Sequence, residues 1–186
     1  VIGDVMLDRY WLGSVDRVSP EAPVPVVKIE ETDLRVGGAG NVAANVCGLG
    51  AKCHLVSVIG DDGPGNSIND ILEQHGVNRH LHIDPQSRTT EKLRIIAKNQ
   101  QLLRVDFEDT PRREVVDRCF SDYEELVGHV DVIIMSDYGK GSIQSIGSMI
   151  KLARKMMIPV VVDPKGVDFS RYKGATVITP NEFEFL

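Results

Sequence analysis

Three cysteines in 186 residues (Cys47, Cys53 and Cys119) are too few and too irregularly spaced for a disulfide framework, and no C-x-x-C pair offers a zinc site. They read as reduced core thiols of a cytoplasmic protein. Long hydrophobic runs are also missing. None approaches the roughly 18 residues of a helical membrane span, and the first residues lack the basic-then-apolar order of a signal peptide. Positive charge is in deficit, with 21 Lys and Arg against 27 Asp and Glu, a formal net charge of −6. A general nucleic-acid or anionic-membrane binder needs a basic face, so neither is expected. An anionic small ligand would have to be met by a few placed lysines and arginines. Repeats, low-complexity tracts and an evident linker are absent too, which leaves one globular domain.

What is present is an alternation of strand-length apolar runs with helical patterns, the signature of an α/β fold on a parallel sheet. "VIGDVML", "CHLVSVIG", "DVIIMS", "IPVVVD" and "ATVIT" read as strands. Helices are predicted at "NVAANVCGL", over residues 64–75 with Gly76 as the stop, and from Thr110-Pro111 with Val115, Cys119, Tyr123 and Leu126 on one stripe. A further helix, capped by Ser142, carries Ile146, Met149, Ile150, Ala153 and Met157, and Pro180 opens a last one. Two stretches break the rhythm. "VPVVKIEE" and the pair "EKLRIIAKN" / "QQLLRVDFE", turning near Asn99-Gln100, are more polar and read as twisted antiparallel strands. They are expected to form a small β-layer inserted in the domain and standing outside the main sheet.

"RVGGAGNVAANVCGLGA" (35–51) poses the main question. Gly38, Gly40 and Ala43 fit a G-x-G-x-x-G/A dinucleotide fingerprint, and Asp61-Asp62 follow at the distance of a ribose-binding acid. A fingerprint of that kind must leave a buried strand, yet "KIEETDLRV" before it is polar and acidic. The glycines retain a physical meaning. Without Cβ they let a ligand approach the backbone, and Asn41 adds a donor and an acceptor at a helix start. "GKGS" (139–142) lacks the spacing of a phosphate-binding Walker loop.

At the carboxyl ends of the strands stand Asp4, Asp137, Asp163 and Asn181, with Lys140 and Lys165 close by in sequence. Each aspartate alone is as readily a cap as a site residue; together they favour a charge-balanced polar site. In "TPNEFEFL", Asn181 and Glu184 share a face of a helix start and could hold a hydrated Mg²⁺, or simply cap the helix. His80 and His82 fall on one side of a strand, where a solvated face of the β-layer is the expected reading and a metal pair the other. Tyr10 and Trp11 either pack in the β-layer or floor a sugar pocket.

"GGAGNVA", followed by Gly50 and Gly60, resembles the amino-terminal signature of the ribokinase-like (PfkB) sugar kinases, with a glycine-to-asparagine gap one residue shorter than in many members. "GDVMLDRYW", "SPEAPVPVV", "RTTEKLRI", "NQQLLRVDFE", "SDYGKG", "DPKGVDFSRYKGAT" and "TPNEFEFL" are similar to one branch, the D-glycero-β-D-manno-heptose 7-phosphate kinases, and the resemblance runs along the whole chain. It implies a three-layer α/β sandwich on a mostly parallel sheet with a small antiparallel β-sheet lid, whose segments fall near 10–36 and 80–108. In relatives the lid often forms a dimer contact, so a homodimer is expected.

The resemblance also implies roles. Asp8 binds sugar hydroxyls, Gly37, Gly38 and Asn41 form the sugar loop, and Asp137 faces the sugar. Lys92 and Arg104 on the lid are the candidates for the 7-phosphate, because an acidic protein needs a local basic clamp there. Asn181 and Glu184 match the N-x-x-E motif that organises Mg²⁺ and the nucleotide phosphates of ATP, near which Lys165 lies. The implied reaction is in-line transfer of the γ-phosphoryl group of ATP to the anomeric hydroxyl, giving the 1,7-bisphosphate on the way to ADP-heptose for lipopolysaccharide. The family's catalytic aspartate sits in a "GAGD" motif, and no such run occurs in these 186 residues. The chain is therefore expected to be the amino-terminal part of the kinase domain, inactive by itself. The alternatives are a kinase for another phosphosugar, such as fructose 1-phosphate, and a non-catalytic sugar-phosphate-binding module. On this reading the glycine run is a sugar loop and its dinucleotide spacing is incidental.

Overall fold

Asp4 splits the first apolar run in two. In the computed structural model, which describes residues 1–185, β1 (Ile2–Gly3) contributes only two residues to the main sheet. The chain then leaves it as β2 (Val5–Val18) and returns as β3 (Pro25–Gly38), which runs directly into α1 (Ala39–Gly48). There follow β4 (His54–Gly60), α2 (Gly63–Gln74), β5 (Asn78–Asp84), β6 (Glu91–Ala97), β7 (Gln100–Phe107), α3 (Arg113–Leu126), β8 (Ile133–Ser136), α4 (Ile146–Lys155), β9 (Val160–Asp163), β10 (Val177–Ile178) and α5 (Glu182–Phe185). The main sheet has the order β10-β9-β8-β1-β4-β5, and every pairing in it is parallel.

Strand periodicity explains the layers. Successive side chains of β4 face opposite sides. Leu55 and Ile59 pack with Ala39, Ala43, Ile68 and Leu72 from α1 and α2, whereas Val56 and Val58 join Val115, Cys119, Met149 and Ile150 from α3 and α4. Helices thus cover both faces, as the α/β three-layer expectation required.

The second sheet, of order β3-β2-β6-β7, is the lid. Three details correct the sequence reading. The β2–β6 pairing is parallel, so the lid is mixed rather than antiparallel, because β6 enters after a crossover through the main sheet. The stretch from residue 80 does not open the lid: β5 is the edge strand of the main sheet, and the lid resumes only at Glu91. The hairpin between β6 and β7 turns on Lys98 and Asn99, whose φ values of 51° and 61° fit a two-residue type I′ turn.

Two helix ends also differ. α4 begins at Ile146 after Ser145, not after Ser142. Ser142 is instead held in a loop, its backbone N–H donating to Asp4 Oδ1 at 2.9 Å. Met157 lies beyond the end of α4 in a left-handed conformation (φ 58°), 89% exposed, instead of on the helix's buried stripe.

Two carboxylates, the half-buried Asp62 and the buried Asp84, fasten the lid's connector to the body. Asp62 caps α2 through Gly65 N and also accepts from the Thr89 hydroxyl (2.6 Å) and Thr89 N (2.9 Å). It is therefore a fastening and not a ribose ligand. Asp84, with no exposed surface, accepts from Arg112 N and Nε and from Gln86 N and the Ser87 hydroxyl. Burial pushes the Asp84 carboxyl up, but these donors outweigh it and hold it at about 2.

Candidate functional site

Register decides what each face of the lid presents. Asp8 stands opposite Arg35 and Lys92, Tyr10 opposite Asp33 and Arg94, and on β7 Asp106 and Arg104 oppose Lys92 and Arg94. All eight therefore share one face. The other face carries Leu34, Trp11, Leu93, Ile95, Val105, Leu103 and Phe107, around an Arg9–Glu91 ion pair. Tyr10 and Trp11, which the sequence left open, thus fall on different faces. Tyr10 belongs to the charged one, with the guanidinium carbons of Arg35 and Arg94 at 5.0 and 5.1 Å from its ring centroid.

Asp8 lies where the lid meets the glycine loop. A Cβ built on the buried Gly37 would come within 2.3 Å of Asp8 Oδ2, so only glycine lets this carboxylate sit against the backbone. Its other oxygen accepts from Arg94 Nη1 at 2.5 Å. Gly38, with φ 57°, is the residue before α1, and a Cβ there would meet the Asp4 carbonyl at 2.3 Å. Asn41 follows in the first turn of α1 with its side chain exposed. Burial lowers the pKa of Lys92 from its ordinary value, against the opposing pull of Asp8 and Asp106; Arg104 and Lys140 lower it further. Arg104 pairs with Asp106 at 2.8 Å. The structure therefore brings together Asp8, Gly37, Gly38, Lys92 and Arg104. It adds Arg94 and Arg35, which the motifs did not single out, and sets Tyr10 beside them.

A second group gathers at the carboxyl ends of β8 and β9. Asp137 is buried, and both its oxygens are engaged. Gly139 N donates to Oδ1 (2.9 Å), while the Tyr172 hydroxyl (2.9 Å) and Arg171 Nη2 (3.3 Å) meet Oδ2. Its carboxylate is turned to these partners and not to the charged lid face. Tyr172 also accepts from Lys165 N at 2.9 Å and so fixes the backbone that carries the lysine. Lys165 Nζ lies 3.8 Å from Glu184 Oε1. Asn181 and Glu184 form a reciprocal capping box: Asn181 Oδ1 accepts from Glu184 N (3.0 Å), and Glu184 Oε2 from Asn181 N (3.1 Å). Capping engages Glu184 Oε2 and leaves Oε1 to Lys165. Burial pushes the Asp163 carboxyl up, and the Glu184 and Asp137 charges act in the same direction, against Tyr138 and Lys165.

Asp4 has a structural role. It is 1% exposed, and its carboxylate accepts from the backbone N–H groups of Tyr138 (2.9 Å), Lys140 (3.0 Å) and Ser142 (2.9 Å). It therefore shapes the 137–142 loop from beneath. That loop is tied to the lid by a Lys140–Glu108 ion pair. His80 and His82 face α3 from the main sheet rather than the lid. His82 Nε2 lies 3.0 Å from Asp122 and His80 Nε2 3.0 Å from His54 Nδ1, and among the described residues no three such groups are placed to hold a metal ion. A cavity of about 480 Å³ is lined by Ile2, Val46, His54, Tyr123, Val127 and Ile133 at the amino ends of the strands. It is apolar and lies at the opposite end of the sheet from where ligands of parallel sheets bind.

Comparison with known proteins agrees with this geometry. The family description "pfkB family carbohydrate kinase" matches residues 1–186. The "Bifunctional protein HldE" of Aliivibrio fischeri (strain MJ11) is 46% identical over 185 residues, covering 100% of this chain and 39% of that protein. The protein of the same name from Coxiella burnetii (strain Dugway 5J108-111) is likewise 46% identical, with the same coverage. The chain thus spans 39% of the length of these curated relatives. Among solved structures, a carbohydrate kinase from Agrobacterium tumefaciens superimposes with a TM-score of 0.76 at 16% identity, over 98% of this chain and 60% of that one. Arabidopsis thaliana ribokinase complexed with ribose and ATP gives 0.73 at 16% identity, over 98% and 59%. At such identities the likeness is one of fold.

Proposed function

Because the chain belongs to the pfkB family of carbohydrate kinases, we propose that it forms the sugar-binding part of an ATP-dependent kinase for D-glycero-β-D-manno-heptose 7-phosphate. The reaction places a second phosphate on the anomeric hydroxyl and serves ADP-heptose formation in the cytoplasm. The observation that carries this reading is the charged lid face. A carboxylate suited to hydroxyls, Asp8, lies against a glycine backbone and is flanked by Arg35, Lys92 and Arg94, with Arg104 on the next strand of the same face. Hydroxyls and an anion on one ligand answer both features. The 46% identity to proteins named HldE supports the same branch.

ATP would supply the phosphoryl group. Lys165 and Glu184, with Asn181 setting the helix start, are the residues that would meet its phosphates and Mg²⁺. A single carboxylate oxygen not used in capping, beside a lysine, suits a Mg²⁺ that keeps most of its waters and is held jointly with phosphates. The "GAGD" aspartate is absent from these 186 residues, so in this reading they bind substrate without turning it over. The test is calorimetric titration with heptose 7-phosphate, with fructose 1-phosphate as control, beside a coupled ATPase assay. Selective heptose 7-phosphate binding without turnover is the expected result. Preference for fructose 1-phosphate would move the chain to the sibling kinases.

The apolar lid face supports a homodimer. Leu103 is 54% and Phe107 36% exposed on a face that strand register otherwise fills with apolar side chains. A second copy of the lid would cover them. Leu103→Asp is expected to convert a dimer to monomer in sedimentation equilibrium. An unchanged mass would remove the lid from the interface.

A further inference from the structure

On the charged lid face the cations differ in what they are bound to. Arg35 pairs with Asp33 at 2.7 Å, Arg104 with Asp106 at 2.8 Å, and Arg94 with Asp8 at 2.5 Å. Lys92, set between Asp8 and Asp106 by register, makes no ion pair within 4 Å among the described residues. The Asp8–Arg94 pair is the one that involves the sugar carboxylate, and its side chains are only 18% and 20% exposed. Arg94 thus holds an oxygen of the carboxylate that sugar hydroxyls would engage.

We propose that Arg94 is an exchangeable partner that couples hydroxyl recognition to phosphate recognition: it neutralises Asp8 until sugar hydroxyls engage that carboxylate, and then passes to the phosphate, beside Lys92. The inference rests on the assignment of Asp8 as the hydroxyl acceptor. Geometry permits the exchange. Lys92 and Arg94 are alternate residues of β6, hence on one face and roughly 7 Å apart, a span that one phosphate can bridge. The Arg94 guanidinium also lies over the Tyr10 ring, which gives the side chain a support to pivot on once it leaves Asp8.

Charge decides the direction. A phosphate of charge about −1.5 to −2 attracts a guanidinium more strongly than a single carboxylate does. A neutral sugar offers Arg94 nothing in return for Asp8. The site should therefore discriminate for phosphorylated sugars by more than the phosphate contacts alone.

The inference has a signature that a merely structural arginine lacks. Arg94→Gln should weaken heptose 7-phosphate binding by about 30-fold while leaving unphosphorylated heptose binding unchanged or a few-fold tighter, because Asp8 is released. Arg94→Lys, which keeps the charge but not the fork, should fall between. A second arm does not depend on the sugar's identity. Asp8→Asn, which frees Arg94, should bind inorganic phosphate several-fold tighter than the unaltered chain, and the double variant with Arg94→Gln should lose that gain. Equal weakening of both sugars by Arg94→Gln, or phosphate affinity indifferent to Asp8→Asn, overturns the proposal. If heptose 7-phosphate fails to bind but the phosphate gain appears, the substrate reading fails and the role of Arg94 stands.

Discussion

Replacing Asp4 with alanine should lower the stability of the chain by about 3–5 kcal/mol, the largest effect expected of any single substitution discussed above. The carboxylate is 1% exposed and accepts from three backbone N–H groups, those of Tyr138, Lys140 and Ser142. Truncation takes the acceptor from all three at a carboxylate that is itself almost fully buried, and donors orphaned there cost more than the net worth of a hydrogen bond. Against a typical total of about 5–15 kcal/mol, that loss is a large share. For a domain of this size it corresponds to a fall in melting temperature of about 10 °C. Asp4→Asn keeps one acceptor oxygen but turns an amide N–H₂ toward a backbone donor, so it should fall between the two. Urea denaturation would read both, with the midpoint shifting at constant slope. A shift below about 1 kcal/mol for Asp4→Ala would mean that the 137–142 loop holds its shape without the carboxylate.

Replacing Gly37 with alanine should weaken heptose 7-phosphate binding by at least 30-fold, about 2 kcal/mol, with a smaller loss of fold stability than the same change at Gly38. The new methyl carbon would sit 2.3 Å from Asp8 Oδ2, the end of a side chain that can move, and 2.8 Å from Cγ of the buried Met6, which must also shift. Asp8 must therefore give way, and with it the contact to Arg94 at 2.5 Å. The neighbouring Gly38→Ala provides the contrast. Its φ of 57° is strained for alanine, and the obstacle is the Asp4 carbonyl at 2.3 Å, which belongs to the backbone. That variant should lose stability first, by about 1–3 kcal/mol, and binding as a consequence. Thermal denaturation beside titration separates the pair. Gly37→Ala binding at full affinity would detach the glycine loop from the sugar site.

Much of this architecture could be read from the sequence, and the part that could not shares one cause. Alternation of apolar runs with helical stripes gave the parallel sheet, and the polarity of "KIEETDLRV" correctly separated the glycine loop from a dinucleotide fold, since β3 is a lid strand. Pairing between distant segments was not legible. That β6 runs parallel to β2, and that β5 belongs to the main sheet, depends on crossovers that no local pattern encodes. Asp4 and Asp62 looked like site acids because a capping or fastening carboxylate and a ligand-binding one have the same sequence signature. Their partners, at 134 residues' separation for Asp4 and Tyr138, decide between them. Arg94 was within reach: period-two alternation in "EKLRI" places it on the face of Lys92, two residues away.

The central claim is that Asp8 and the lid cations recognise a phosphorylated sugar. Calorimetric titration of the chain with D-glycero-β-D-manno-heptose 7-phosphate, repeated with Asp8→Ala, tests it most directly. The account predicts binding to the unaltered chain, at least 10-fold preference over fructose 1-phosphate (about 1.4 kcal/mol), and loss of binding in Asp8→Ala while its melting temperature holds. No binding by a chain shown to be folded, or equal binding by Asp8→Ala, would contradict it.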